Sequence, residues 1–260
     1  MLDEAEATVL REGDSRGTVV LRLNRPAVRN ALNAALVDRL ATILLELDDD
    51  PDVRAVVLTG SPPGFCAGSD LTELAGLPVA ERVRHEARAG YLARTLQQLG
   101  IPVVAAVEGF ALGGGFLLAT SCDVVVSAGQ ARWQLPEVGL GWVPPWGLQS
   151  LLARVGPATS RRLVWGDRAL SGQQLYRLGA VDEVSEPGQA VRRARDIALR
   201  LAALPPHAVA STKRALADAG TGAAESLDTR TSWMFGLDCY SDTARLSFAR
   251  FARPPRDLTR

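Results

Sequence analysis

Between residues 18 and 107, short apolar runs of the kind that become buried strands alternate with runs whose apolar residues recur at helical spacing. Thr18-Val-Val-Leu-Arg-Leu23 reads as a strand, and Asn24-Arg-Pro26 ends it because proline removes a ladder donor. After Asn33, a residue type suited to an N-cap, Leu36, Leu40, Ile43, Leu44 and Leu47 repeat at helical spacing until Asp48-Asp-Asp-Pro51 stops them. Val53 to Thr59 is strand-like again. Strand, helix and strand in this order imply a parallel crossover, since a tight hairpin joins only antiparallel strands.

The alternation continues through the turn-rich loop Gly60–Gly68, a helix over Glu81–Leu99, a strand over Val103–Val107, a short apolar helix after Gly113-Gly-Gly115 and a strand over Asp123–Ser127. Beyond Pro187 the strand signal vanishes. Segments 191–203 and 208–219, and two more between Ala223 and Phe251, have helical composition and are separated by Pro205-Pro206, Gly220 and Gly236. The expected division is an α/β core over residues 1–195 and a helical, oligomerising region over 196–260.

Composition narrows the function. With 29 basic and 29 acidic residues in a chain of 260, the charges cancel and favour neither nucleic acid nor an anionic membrane as partner. Cys66, Cys122 and Cys239 are an odd, scattered set without zinc-ligand spacing, so no metal site is expected and a reducing cytoplasm fits. The acidic start MLDEAEATVL lacks the features of a secretory leader. His85 and His207, the two histidines, stand beside no nucleophile and read as structural. Gly113-Gly-Gly115 matches neither a P-loop nor a dinucleotide fingerprint, so nucleotide hydrolysis and hydride transfer drop out as leading readings.

Two loops remain, Gly60–Leu71 and Glu108–Gly115. Each follows a strand and runs through glycine toward a helix, a way to leave main-chain N–H groups aimed at an incoming anion. Downstream, Trp133-Gln-Leu-Pro-Glu137-Val-Gly-Leu-Gly141-Trp142 sets one carboxylate among bulky apolar neighbours, where desolvation raises its pKa toward that of a general base. Four of the five tryptophans lie between 133 and 165. Trp133 and Trp165 are expected in the core, and Trp142 and Trp146 in the wall of a pocket for a short, flat or aromatic group.

Taken in order, Gly64-Phe-Cys-Ala-Gly-Ser-Asp-Leu71, Ala106-Val-Glu-Gly-Phe-Ala-Leu-Gly-Gly-Gly115 with Cys122-Asp123, and Pro136-Glu-Val-Gly-Leu-Gly141 closely resemble the enoyl-CoA hydratase/isomerase (crotonase) family. Asn24-Arg-Pro26 with Asn30-Ala-Leu-Asn33 is similar to that family's N-terminal signature, and the resemblance covers residues 8 to 254. It implies an α/β fold made of a spiral of ββα units followed by a helical trimerisation region, assembled as homotrimers or hexamers. It implies an enzyme of acyl-CoA chemistry, as in fatty acid metabolism, needing no cofactor beyond the coenzyme A of its substrate, and the scattered thiols and the start of the chain make a cytoplasmic location the expectation.

The resemblance also implies the site. Backbone amides of Ser69 and Gly114 would form an oxyanion hole for the thioester oxygen, with the Ser69 hydroxyl capping or facing solvent. Of the family's two catalytic glutamates one maps onto Glu137, and the other position holds Leu117. A single carboxylate suits double-bond isomerisation, and replacements for the missing partner are sought in Asp70, Glu73, Glu108 or the helical region. Coenzyme A would lie along Arg25, Arg29, Ala31, Ala67, Ser69, Asp70 and Leu71, the arginines meeting phosphates. In Phe248-Ala-Arg-Phe-Ala-Arg-Pro254, similar to the family's closing segment, Phe251 stands where a lysine is common. A different class of reading is a catalytically silent acyl-CoA-binding paralogue, consistent with Leu117.

Overall fold

A computed structural model describes residues 7–13, 16–166, 168–221 and 223–252. Residues 1–6, on which the leader expectation rests, and Arg253-Pro254 lie outside this set. The strands are β1 (Val9–Gly13), β2 (Thr18–Leu23), β3 (Ala55–Gly60), β4 (Val103–Val107), β5 (Phe110–Leu112), β6 (Val124–Ala128), β7 (Arg132–Gln134), β8 (Leu170–Ser171) and β9 (Glu183–Ser185). The helices are α1 (Ala34–Asp48), α2 (Leu71–Ala75), α3 (Val79–Gln98), α4 (Gly114–Thr120), α5 (Glu137–Leu140), α6 (Leu148–Val164), α7 (Gly172–Leu178), α8 (Ala190–Ala202), α9 (Pro206–Thr221), α10 (Ala224–Asp238) and α11 (Asp242–Phe251).

Six strands form the main sheet in the order β1-β2-β3-β4-β6-β9. The β1–β2 pair is antiparallel and every other pair is parallel. The near-continuous apolar runs of β2, β3 and β4 are explained by burial on both faces, as in covered parallel sheets. Alternate residues divide between two cores. Leu21, Leu23, Val56, Leu58, Val103 and Ala105 pack with the stripe Leu36, Leu40, Ile43, Leu44 and Leu47 of α1. Their neighbours Val20, Ala55, Val57, Val104 and Ala106 pack with Ala190, Ala194, Ile197 and Ala198 of α8. Asn33 caps α1 by accepting from the Leu36 amide at 3.0 Å.

The second sheet, β5-β7-β8, stands beyond the ends of the main strands. β4 and β6 each lead into one of its strands and then into a helix, giving strand, strand, helix units along the chain. The expected division at residue 195 falls inside α8, which by its packing belongs to the sheet. The helices after it do not stand apart either. α10 packs on α3 and α6, and α11 packs on α2 and α5, so the C-terminal helices roof the region where the glycine-rich loops meet.

Several elements escape a sequence reading for local reasons. β7 and β8 span only three and two residues, and α6 is interrupted at Gly156, with φ 69°, just before Pro157. Trp165 is corrected: it follows α6 as its C-cap and is 68% exposed rather than in the core, whereas Trp133 is fully buried. Among the described residues no helix is long and apolar enough to cross a membrane, and no His, Cys, Asp and Glu cluster could hold a metal ion.

Candidate active site

The loop after β3 is pinned by backbone bonds on either side of Ser69. The Leu32 N–H donates to the Gly68 carbonyl at 2.8 Å, and the Asp70 N–H donates to the Leu32 carbonyl at 2.9 Å. This parallel bridge uses the residues flanking Ser69 and leaves the Ser69 N–H on the opposite edge. The second loop ends at Gly113, whose N–H donates to the Gln134 carbonyl at 2.9 Å, and α4 begins at Gly114 with its first-turn donors unused by the helix. Among the described residues no hydrogen bond ends on the amide of Ser69 or of Gly114.

The two loops approach so closely that Gly68 has to be glycine. Its φ is +91°, and a Cβ there would lie 2.7 Å from the Leu112 carbonyl oxygen and 3.0 Å from the Gly114 nitrogen. Both amides border a cavity of about 50 Å³, whose walls include Ala67, Leu71, Leu117, Glu137, Trp142 and Trp146. That volume holds one or two waters.

Glu137 opens α5 and is 7% exposed. A Cβ on Gly113 would meet its Oε1 at 3.0 Å, and its Oε2 is buried with no partner among the described residues. Burial pushes its pKa up to about 8, partly offset by its own backbone N–H and increased by the nearby charge of Glu86. A carboxyl raised this far has both its acid and its base form within reach near neutral pH, so it can give or take a proton.

Glu86 is the residue that the sequence reading missed. It lies on α3, is 3% exposed and lines the same cavity. The Trp146 indole N–H donates to its Oε2 at 2.7 Å, and the Ser69 hydroxyl lies toward the same carboxyl and lowers its pKa. Burial raises the Glu86 pKa, opposed by neighbouring His85 and by the donors Ser69 and Trp146. Leu117 is fully buried in the cavity wall, where it supplies no proton.

The carboxylates considered as substitutes are elsewhere. Asp70 caps α2 by accepting from the Glu73 amide and pairs with Arg25 at 3.0 Å. Asp70, Glu73 and Arg25 border a separate depression. Glu108 accepts from the Ala190 amide at 2.8 Å on the other side of the sheet. Of the remaining residues assigned to coenzyme A, Arg25 also donates to the Ala31 carbonyl at 2.6 Å, and the Arg29 guanidinium lies 4.3 Å from the Phe110 ring centroid. Cys66 is a core residue whose thiol burial pushes up to about 12, which makes it inert as a nucleophile. His85 is buried with Nε2 3.2 Å from the Leu32 carbonyl.

The loop from Gly141 to Gly147 carries both wall tryptophans and is held by α10. Asp238 accepts from the Val143 amide at 2.9 Å, Thr231 donates to the Pro145 carbonyl at 2.8 Å, and Asp228, paired with Arg94, accepts from the Gly147 amide at 3.2 Å. Trp142 stacks on Phe248 of α11 at 4.6 Å between centroids.

The profile of the enoyl-CoA hydratase/isomerase family matches residues 13–251. The chain is 35% identical over 199 residues to the short-chain-enoyl-CoA hydratase of Clostridium acetobutylicum, covering 76% of each. It is 38% identical over 199 residues to the 2,3-dehydroadipyl-CoA hydratase of Escherichia coli, covering 76% of this chain and 77% of that one. An enoyl-CoA hydratase/isomerase structure from Mycobacterium paratuberculosis superposes with a TM-score of 0.85 at 27% identity, over 94% of this chain and 98% of that one. The architecture is the crotonase fold. On its sequence match and its fold together, the chain belongs to the enoyl-CoA hydratase/isomerase family.

Proposed function

We propose that the chain is an enzyme acting on acyl-CoA thioesters, with the thioester oxygen held by the amides of Ser69 and Gly114 while Glu137 moves a proton on the acyl carbons. The observation that carries this reading is the convergence on one cavity of two amides and one buried carboxylate oxygen that have no partner among the described residues. The amides stabilise the charge that develops on oxygen as the enolate forms, each contributing about 3 kcal/mol to lowering the barrier. Glu137, protonated or ionised near neutrality, transfers a proton to or from carbon.

Coenzyme A would lie along the depression of about 400 Å³ lined by Arg25, Asp70, Thr72 and Glu73, whose Asp70 stands between Ser69 and Leu71 of the cavity wall. Arg25 and Arg29 would meet its phosphates, beside Ala31 and Ala67. The hydratase names of the relatives favour hydration of a 2-enoyl-CoA. Leu117, in the position of the family's other glutamate, favours double-bond isomerisation as the second reading. A homotrimer or hexamer accounts for Trp233, Leu237 and Tyr240, an exposed apolar stripe on and just after α10.

Calorimetric titration tests the site. Acetoacetyl-CoA should bind and the free acid should bind far more weakly, and Gly114→Pro, which deletes one amide, should abolish turnover. Equal affinity for the thioester and the free acid would remove the assignment.

A further inference from the structure

We propose that Glu86 is the second catalytic carboxylate of this enzyme, supplied from α3 in place of the one that Leu117 cannot provide, and that the pair hydrates a 2-enoyl-CoA. The proposal rests on the acyl-CoA reading of the cavity and adds a residue and a reaction to it. Three geometric observations carry it. Glu86 and Glu137 line one small cavity together with the Ser69 and Gly114 backbone. The Glu86 carboxyl is held by the Trp146 indole at 2.7 Å, and Trp146 itself packs over Gly114, where an added Cβ would sit 2.9 Å from the indole Cζ2. Ser69, whose amide is one of the proposed oxyanion donors, lines the cavity beside Glu86 with its hydroxyl toward that carboxyl, so α3 meets the oxyanion loop at this point.

The donors also divide the roles. Burial pushes both carboxyls toward the acid form, but Glu86 accepts from Trp146 and has His85 beside it, which oppose that push, whereas Glu137 Oε2 has no partner among the described residues, so of the two Glu86 is the one better able to ionise. Two buried carboxyls in one cavity repel as anions, which disfavours the doubly ionised pair, and the working state for hydration is the one that carries a single proton, on Glu137. Glu86 as carboxylate takes a proton from water as the water oxygen forms a bond to C3. The C2–C3 π pair moves to make the enolate, whose oxygen rests on the two amides. Glu137 as acid then protonates C2, giving the 3-hydroxyacyl thioester. The products of the step are Glu86 protonated and Glu137 ionised, and proton exchange through the next water restores the starting pair. Besides Glu137, His85 beside it and Cys239 at the end of α10 interact with Glu86, and Arg82 and Asp238 bear on Cys239 in turn. The Arg94–Asp228 ion pair packs behind Trp146.

The test is crotonyl-CoA hydration by the full chain and by Glu86→Gln, Glu137→Gln, Ser69→Ala and the double variant Glu86→Gln/Leu117→Glu, with acetoacetyl-CoA affinity measured on each. Glu86→Gln should lower kcat by about 10²- to 10⁴-fold with acetoacetyl-CoA affinity within threefold of wild type. Adding glutamate at 117 should return at least tenfold of the loss, a rescue that a merely structural Glu86 would not show. Ser69→Ala keeps the amide, removes one donor to the ionised Glu86, and should move the acid limb of the kcat profile to higher pH. Glu86→Gln hydrating within threefold of wild type while Glu137→Gln is inactive would overturn the role of Glu86 and leave the acyl-CoA site standing. An acid limb unmoved in Ser69→Ala would overturn it if Glu86→Gln failed to fold. Failure of the wild-type chain to bind acetoacetyl-CoA would overturn the site reading itself, and the proposal with it.

Discussion

Trp146 Nε1 donates to Glu86 Oε2 at 2.7 Å, joining the loop after α5 to the middle of α3 across the cavity. The bond links two features of this chain, a tryptophan-rich wall and a carboxylate on the buried face of a helix whose other face bears arginines. It also fixes the indole against Gly114, the first residue of α4.

The Gly68 position gives a sharp test of how the loops meet. In Gly68→Ala the new methyl would crowd the Gly114 nitrogen at a φ of +91°, so both strain and blocking of an amide follow. The variant should lose about 1–3 kcal/mol of stability in urea unfolding and most of its affinity for acetoacetyl-CoA. Wild-type affinity would show that the Gly114 amide plays no part in binding.

Stability should depend on the protonation of Glu137. Its folded pKa is raised from 4.5 to about 8, so the folded state keeps a proton that the unfolded chain has released. The stabilisation is fully present below 4.5 and declines as pH rises toward 8, because ν is larger in the folded state over that window. Urea midpoints measured from pH 5 to 8 should fall for the native chain, and the fall should be shallower in Glu137→Gln.

The cavity walls should set acyl length. Trp142 is stacked on Phe248 and borders a cavity of about 50 Å³, so the site as folded suits a short or flat acyl group. Trp142→Ala should raise kcat/KM for long-chain 2-enoyl-CoA relative to crotonyl-CoA by tenfold or more. An unchanged ratio would place the acyl chain elsewhere.

Assembly is tested at the α10 stripe. Sedimentation at micromolar concentration should report a trimer or a hexamer, and Trp233→Glu with Leu237→Glu should give smaller species. A clean native monomer would contradict the assembly.

Much of this was legible because the sheet is covered on both faces, so β2, β3 and β4 announce themselves as unbroken apolar runs. Ser69, Gly114 and Glu137 were reached in the sequence through the resemblance carried by the loops that hold them, and all three line one cavity. Glu86 was not, since a glutamate between His85 and Ala87 on an arginine-rich helix reads as solvated. The signal was there in the spacing: Glu86, Ala89, Gly90 and Ala93 form one buried stripe, with Glu86 on a face of small residues that leave room for Trp146. Recognising it required knowing that the 141–147 loop folds back over α3, a contact set by α10 more than 80 residues later through Asp228 and the Gly147 amide.

The most direct test is the turnover of Glu137→Gln beside its affinity. Glutamine keeps the shape of the side chain and removes the acid and base, so crotonyl-CoA and 3-enoyl-CoA turnover should fall about 10²- to 10⁴-fold while acetoacetyl-CoA binds within threefold of wild type. Retention of wild-type turnover in Glu137→Gln, with the thioester still bound, would show that the proton moves without Glu137 and contradict its assignment as the acid/base of this site.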